Sequence, residues 1–211
     1  NSSITAPRQG AEGGNIMDQR KTHQLLIKLT ATAMMTAIVF VGNFLRVTMP
    51  VPLGGVTSFT LANILCALSG ILLGPLHGFL AAGLGSFFFD LTGIWAKEAL
   101  ITLCTKGMYG LVAGLVLYGL FRSRKEKYVP QLAATTCAAI GYMVVYSIKT
   151  YFYNGMFENH FTEPVQCWAL IVSKLPATVT NGVIAMVFAP VIGVALMKAM
   201  RSAHLEKLLA K

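Results

Sequence analysis

Three lysines stand inside stretches of sequence that are otherwise strongly apolar: Lys106, Lys149 and Lys174. A cation in the hydrocarbon of a bilayer is costly, so each of these positions is a candidate functional site. The chain has 8 acidic residues against 17 basic ones, too few to provide a matching set of carboxylates. Three cations that converge in a site of low dielectric would bind an anion, such as a carboxylate or a phosphate, through charge-assisted hydrogen bonds.

The composition is that of an integral membrane protein. Of 211 residues, 55% are hydrophobic and only 12% charged, and the mean hydropathy is +0.64, outside the range of soluble domains. The net charge of +9 does not indicate nucleic-acid binding, because the basic residues cluster at the ends of apolar stretches. The cysteines and histidines are scattered singly and form no metal-binding motif, so we expect neither a metal nor another cofactor.

The first sixteen residues differ from the rest of the chain. They are rich in Gly, Ser and Ala and lack hydrophobic periodicity, and Met17, followed by a charged segment, resembles a native start. We therefore expect residues 1–16 to be a remnant of cloning or a disordered tail. Residues 17–211 are expected to form a single membrane domain.

Six apolar stretches predict an all-α integral membrane protein with six transmembrane helices. The second and third are shorter than the ~20 residues of a full span, and only a Gly-Pro turn region separates them. We expect them to form a tight helical hairpin that crosses and returns, or a re-entrant pair. The six stretches are 25–45, 60–73, 76–91, 99–121, 132–152 and 167–200.

Basic residues in alternate connections predict the orientation. They precede the first span, lie between the fourth and fifth and end the chain, which places both termini in the cytoplasm. Counted at ~1.5 Å per helical residue, the three lysines then fall in the outer half of the membrane. Three further polar residues fall at the outer ends of the first three spans, so we expect a polar cavity that opens outward; they are Asn43, Asn63 and Asp90.

Each candidate also has a simpler interpretation. A lysine near a helix end can extend its ammonium to the interface, and this applies most to Lys149. Asp90 has no paired acid, so pairing with a lysine or capping a helix is a better interpretation than catalysis. Ala33 and Ala37 are one helical turn apart, and such spacing serves close helix packing, within the chain or with a partner. The glycines at 70, 74 and 78 and at 110 and 114 are expected to serve internal packing.

Over nearly all of 17–211 the chain resembles a substrate-binding S component of an energy-coupling factor (ECF) vitamin transporter. The resemblance rests on the six short spans, on the segment from Ala33 to Ala37, and on the stretch FTLANILCALSGILLGP at 59–75. The last continues to Gly83-Leu84-Gly85-Ser86 and to Asp90. The Leu-Leu-Gly-Pro hairpin, followed by a glycine-rich helix and an acid, is its most specific part.

The resemblance implies a subunit in a bacterial cell membrane that binds a vitamin or precursor from outside and cannot transport it alone. It would dock on a transmembrane T component driven by two ATP-binding-cassette ATPases, and the face of Ala33 and Ala37 would contact the T component. The connection at 46–58 commonly gates the pocket in that family, and its turn-rich run at 49–55 suits a lid. The chain has no Walker motif of its own.

The resemblance does not determine which vitamin is bound, so the choice must rest on the charged residues inside the apolar stretches. Pantothenate carries one carboxylate, which the lysines could bind with Asn63, Asn181 and Tyr146 as amide and hydroxyl partners; it is our first choice. Folate, which is also carboxylated, would provide the same negative charge. Riboflavin or a B6 vitamer fits if the lysines instead pair with acids such as Asp90, Glu98 or Glu158.

Two other classes of function remain open on sequence alone. An intramembrane enzyme would need a convergent set of acid, base or nucleophile, and Asp90 with one lysine is thin support. A self-sufficient secondary carrier would normally show inverted repeats or a continuous polar path, and neither is evident in the sequence.

Overall fold

The computed structural model describes residues 9–50, 56–93 and 95–202, and their side chains from Thr22 onward. Six α-helices account for most of the described chain, and two short strands lie between the first two helices. The elements are α1 (Gln9–Gly42), β1 (Arg46–Pro50), β2 (Val56–Thr60), α2 (Ala62–Leu73), α3 (Pro75–Leu91), α4 (Ala99–Leu115), α5 (Tyr128–Lys149) and α6 (Pro164–Ser202).

Short segments of tighter or wider helix extend some of these elements. A 3-10 turn, Ala96–Glu98, precedes α4, and a second, Arg122–Arg124, lies before α5. A π-helical segment, Val116–Leu120, continues α4, and a longer one, Thr150–Glu158, continues α5. The wider π-helix changes which side chains face inward, and such segments are frequent at functional sites.

Four segments of the described chain are long and apolar enough to cross a membrane: Thr22–Gly42, Ala96–Leu120, Tyr128–Glu158 and Pro164–Ser202. The helices α2 and α3 have 12 and 17 residues, which at ~1.5 Å per residue is shorter than the hydrocarbon layer. They form the expected hairpin. The count of six spans and the cytoplasmic location of both termini remain predictions.

The all-α expectation is wrong for the connection between α1 and α2. β1 and β2 pair as an antiparallel hairpin, with Arg46 opposite Thr60 and Thr48 opposite Ser58. Its β-branched residues favour an extended backbone, a signal that the expectation of a neutral, turn-rich connection overlooked. Residues 51–55, the centre of the predicted lid, lie outside the described residues.

Glycines let α2, α3 and α4 approach to backbone contact. A Cβ on Gly78 would lie 2.6 Å from the Gly70 Cα, and a Cβ on Gly110 would collide with the Gly78 carbonyl oxygen. Gly74 joins α2 to α3 with a φ of 83°, a conformation that favours glycine. The expected internal packing is confirmed for the glycines at 70, 78, 110 and 114 and holds the short α2–α3 hairpin against α4, whereas Gly74, with no atom within 4 Å of its Cβ position, serves the turn instead.

The helix α1 packs on this unit through one face only. Met35 and Val39 are buried, whereas Ala33 and Ala37 are exposed on another face. The alanine pair therefore does not serve packing within the described part of the chain. The helix begins at Gln9, inside the range 1–16; the assignment of that range to a remnant or tail remains a prediction.

We expect Gly110→Ala to lower the free energy of unfolding by about 1–3 kcal/mol, because the added methyl meets backbone rather than a flexible side chain. The measurement is the melting temperature of the detergent-purified protein. Gly119→Ala is the matched control, since Gly119 is exposed with no atom near its Cβ position. Equal melting temperatures for the two variants would contradict this packing.

Candidate functional site

A cavity of about 260 Å³ lies between β2, α4, α5 and α6. All three lysines singled out from the sequence line it, although they come from three different helices and are separated by up to 68 positions in the chain. The expectation that Lys106, Lys149 and Lys174 converge therefore agrees with the geometry. The three lysines differ in their partners.

Lys106 lies on the buried face of α4 and has a neutral partner. Its ammonium donates a hydrogen bond to Oδ1 of Asn63, on the first turn of α2. The Nζ atom also lies 5.0 Å from the ring centroid of Tyr142, within range of a cation–π interaction. These partners orient the ammonium without neutralising it.

Lys149 is neutralised within the chain. Its ammonium forms an ion pair with Glu98, and both side chains are about nine-tenths buried. The other carboxylate oxygen of Glu98 accepts a hydrogen bond from Asn154 Nδ2, which also donates to Glu158 at 2.6 Å. This network joins the start of α4 to the π-helical segment after α5. Lys149 is therefore paired with an acid rather than extended to the interface.

Lys174 lies on α6 in line with Thr178 and Asn181, at positions four and seven residues further along, and all three line the cavity. It interacts electrostatically with Lys149, Glu98 and Glu158. Among the described residues, no carboxylate lies within ion-pair distance of Lys174 or of Lys106. Both amide atoms of Asn181 bond to the backbone of β2.

Arg46, the first residue of β1, adds a fourth cation that the sequence analysis did not single out. Its guanidinium lies 4.3 Å from the Phe89 ring centroid and 4.6 Å from that of Trp95. It donates to the backbone oxygen of Asn43 at 3.0 Å and to the Asn43 side chain at 2.8 Å. Burial lowers the pKa of Arg46, and nearby Asp90 opposes that shift, but an arginine stays charged.

The other site residues predicted from the sequence differ in where they lie relative to the cavity. Asp90, Tyr146 and Asn181 line the cavity. Asn63 is not among the lining residues but is hydrogen-bonded to Lys106, and its buried Nδ2 has no hydrogen-bond partner among the described residues. Asn43 is not among the lining residues: its amide donates to Val39 O and it orients Arg46.

Two residues that shape the site, Tyr142 and Asn154, were missed by the sequence analysis, which named Tyr146 only as a hydroxyl partner of the ligand and Glu158 only as an acid partner of the lysines. Tyr142 and Tyr146 stack with centroids 5.6 Å apart and form an aromatic surface along α5. Their spacing of four residues on a helix was the available signal. Asn154 and Glu158 reach the cavity from a π-helical segment, which no sequence period identifies. Among lining residues five are basic and three acidic: Arg46, Lys97, Lys106, Lys149, Lys174, and Asp90, Glu98, Glu158.

This arrangement is suited to binding. Two ammonium groups without carboxylates at ion-pair distance, a pair of stacked rings and several amide and hydroxyl groups line one partly open cavity. Among the described residues no three His, Cys, Asp or Glu side chains are placed to hold a metal ion. The cavity therefore offers its own donors and acceptors to a small polar ligand.

Comparison with known proteins gives one family. The model of the ECF-type riboflavin transporter S component family matches residues 24–201. The fold is similar to that of the S component for biotin from an ECF-type ABC transporter, with a TM-score of 0.60, 20% identity, and coverage of 83% of this chain and 93% of that one.

A second structure, the S component of a bacterial ECF transporter, gives a TM-score of 0.55 at 16% identity, covering 84% of this chain and 97% of that one. At these identities the two structures show the fold alone. No curated protein matches the chain in sequence.

We expect Glu98→Gln to destabilise the protein by about 3–5 kcal/mol, because it leaves the buried Lys149 ammonium without its counter-charge. In the double variant Glu98→Gln with Lys149→Met, both charges are removed and most of the loss should be recovered. Thermal unfolding of the single and double variants measures this. Additive losses in the double variant would show that the ion pair does not form.

Proposed function

The chain belongs to the family of ECF-type riboflavin transporter S components, and on that premise we propose that it captures a small anionic vitamin or vitamin precursor from outside the cell. Members of this family are multi-pass membrane proteins and substrate-binding transport subunits rather than enzymes. The ligand would occupy the cavity between β2, α4, α5 and α6 and be delivered with the help of partner subunits.

One observation carries the choice of an anion. Lys106 and Lys174 line the same cavity, and neither has a carboxylate within ion-pair distance among the described residues. An ammonium without an ion-pair partner is costly in a site of low dielectric. An anionic ligand would supply the missing counter-charge through charge-assisted hydrogen bonds.

Within that class, pantothenate remains our first choice. It carries one carboxylate for Lys106 and Lys174, and its hydroxyl and amide groups match polar side chains such as Tyr146 and Thr178 that line the cavity. The volume of about 260 Å³ is slightly below the usual range for ligand pockets, which is about 300–1,000 Å³. A small, flexible ligand is favoured by that size over folate.

Riboflavin is the second candidate, and three observations favour it. The matching family model is named for riboflavin transport, and the stacked rings of Tyr142 and Tyr146 offer a surface for a planar heterocycle. The pairing of Lys149 with Glu98 also lowers the excess of positive charge. A B6 vitamer also has a planar ring and remains a candidate for the same reason.

ECF S components work with a T component and ATPases; for this chain we propose a transmembrane T component and two ABC ATPases. The exposed face of α1 with Ala33 and Ala37 is the proposed contact with the T component. Two small residues one turn apart allow a partner helix to approach closely. Their exposure in the isolated chain supports that role.

Mass spectrometry of small molecules released from the purified protein tests the ligand directly. Pantothenate, or another carboxylated vitamin, is the expected result, and riboflavin would favour the second candidate. Uptake by proteoliposomes that contain this chain alone, without ATPases, would contradict the assignment as a dependent subunit and favour a secondary carrier. Turnover of a lipid substrate would favour an enzyme.

We expect Lys106→Ala and Lys174→Ala each to weaken ligand binding by well over about tenfold, because each removes a charge-assisted hydrogen bond. Isothermal titration with pantothenate and with riboflavin measures the change. Lys198→Ala is the matched control, because Lys198 is an exposed lysine on α6, the helix of Lys174. Unchanged affinity in both cavity variants would reject an anion site at these lysines.

We expect Ala33→Trp to leave ligand affinity unchanged but to stop uptake by the assembled transporter, because the indole would hold the T component away from α1. Equilibrium binding to the isolated subunit and vitamin uptake by the complete complex measure the two effects. Ile140→Trp, at an exposed position on α5, is the control. Normal uptake by the Ala33 variant would place the T-component contact elsewhere.

A further inference from the structure

The strand β2 has one edge paired with β1 and another that faces α6. The Ser58 carbonyl and the Thr60 N–H lie on this second edge, because residues two apart in a strand direct their backbone groups to the same side. Unpaired groups on a strand edge cost free energy wherever water is excluded. Thr60 is buried, so its N–H needs a partner from the protein.

A single side chain supplies both partners. Oδ1 of Asn181 accepts a hydrogen bond from Thr60 N at 2.9 Å, and Nδ2 of Asn181 donates to Ser58 O at 2.8 Å. The carboxamide thus bonds to the edge of β2 as the N–H and C=O of one residue in a neighbouring parallel strand would. The two bonds also fix which amide atom is oxygen and which is nitrogen.

This contact also joins β2 to the site. Val56, Thr57, Ser58 and Thr60 line the cavity opposite the tyrosines of α5, so the position of β2 fixes one wall. Thr60 in turn accepts a hydrogen bond from Ala62 N at 3.1 Å, where α2 begins. Asn63, on the same turn of α2, is the partner of Lys106.

We propose that Asn181 is a positioning residue that fixes the β1–β2 hairpin on α6, so that this wall of the cavity is formed before a ligand arrives. The proposal rests on the proposed function only in taking the cavity as the ligand site. It revises the expectation that Asn181 is an amide partner of the ligand, because one lone pair and one proton of its carboxamide are already used by β2. A wall formed in advance retains the ligand, so loss of Asn181 should accelerate dissociation more than it slows association.

Hydrogen–deuterium exchange of the ligand-free protein in detergent tests the proposal without reference to any vitamin. In Asn181→Ala we expect the amides of residues 56–60 to exchange at least about tenfold faster, because two hydrogen bonds are lost. Thr180→Ala is the matched control: Thr180 is a neighbouring polar residue that is exposed on α6, and its loss should leave that exchange unchanged. Asn181→Gln keeps the amide and should restore part of the protection.

Unchanged exchange at 56–60 in Asn181→Ala would overturn the proposal, as would equal acceleration in the Thr180→Ala control. Lys106→Ala separates the two proposals, since it should weaken binding of pantothenate or riboflavin without accelerating exchange of β2. If wild-type protein binds neither probe, the proposed ligands fail while the exchange result still decides the role of Asn181. Where a probe binds, a dissociation rate unchanged by Asn181→Ala would contradict the retention of ligand by this wall.

Discussion

The cost of keeping a positive charge away from water determines how this molecule is built. In an apolar protein with few acids, each inward-facing cation either pairs with a group of the chain or remains without a counter-charge that a ligand could supply. Lys149 obtains Glu98, and Arg46 is held between two rings and the oxygens of Asn43. Lys106 and Lys174 obtain no carboxylate within the described chain. That imbalance gives the cavity its electrostatic character.

Close backbone packing makes the cavity possible. The glycines of α2, α3 and α4 bring three helices together on one side, and this places Asn63 against Lys106. On the other side, α5, its π-helical continuation and α6 carry the tyrosines, the acid–amide network and Lys174. The β1–β2 hairpin closes the space between them and is bonded to α6 through Asn181. Each wall of the cavity is therefore held in place either by a specific polar contact or by glycines that allow close helix packing.

Much of this could be predicted from sequence because the controlling patterns are local. The apolar stretches identify the helices, and a lysine within such a stretch is anomalous wherever the helix packs. The Gly-Pro junction before α3 identifies the hairpin of α2 and α3, and spaced glycines identify close packing. Counting residues along the spans places the three lysines in the same half of the membrane, which is why their convergence could be expected.

The rest depends on contacts between distant residues. Nothing local to Glu98 indicates that it, rather than Asp90, pairs with Lys149, 51 positions away. Asn154 and Glu158 face the cavity because the helix widens after Lys149, and helical periodicity does not record that change. Asn181 looks like a ligand partner in sequence, yet β2 uses its carboxamide. The strands β1 and β2 were not predicted, because the connection between α1 and α2 was interpreted as a neutral, turn-rich segment.

An experimental structure of the protein with its co-purified ligand tests the central claim most directly. The account predicts an anionic group of the ligand about 2.7–2.9 Å from Nζ of Lys106, of Lys174 or of both, with Lys149 still paired to Glu98. A bound ligand whose polar groups approach neither Lys106 nor Lys174 would contradict it.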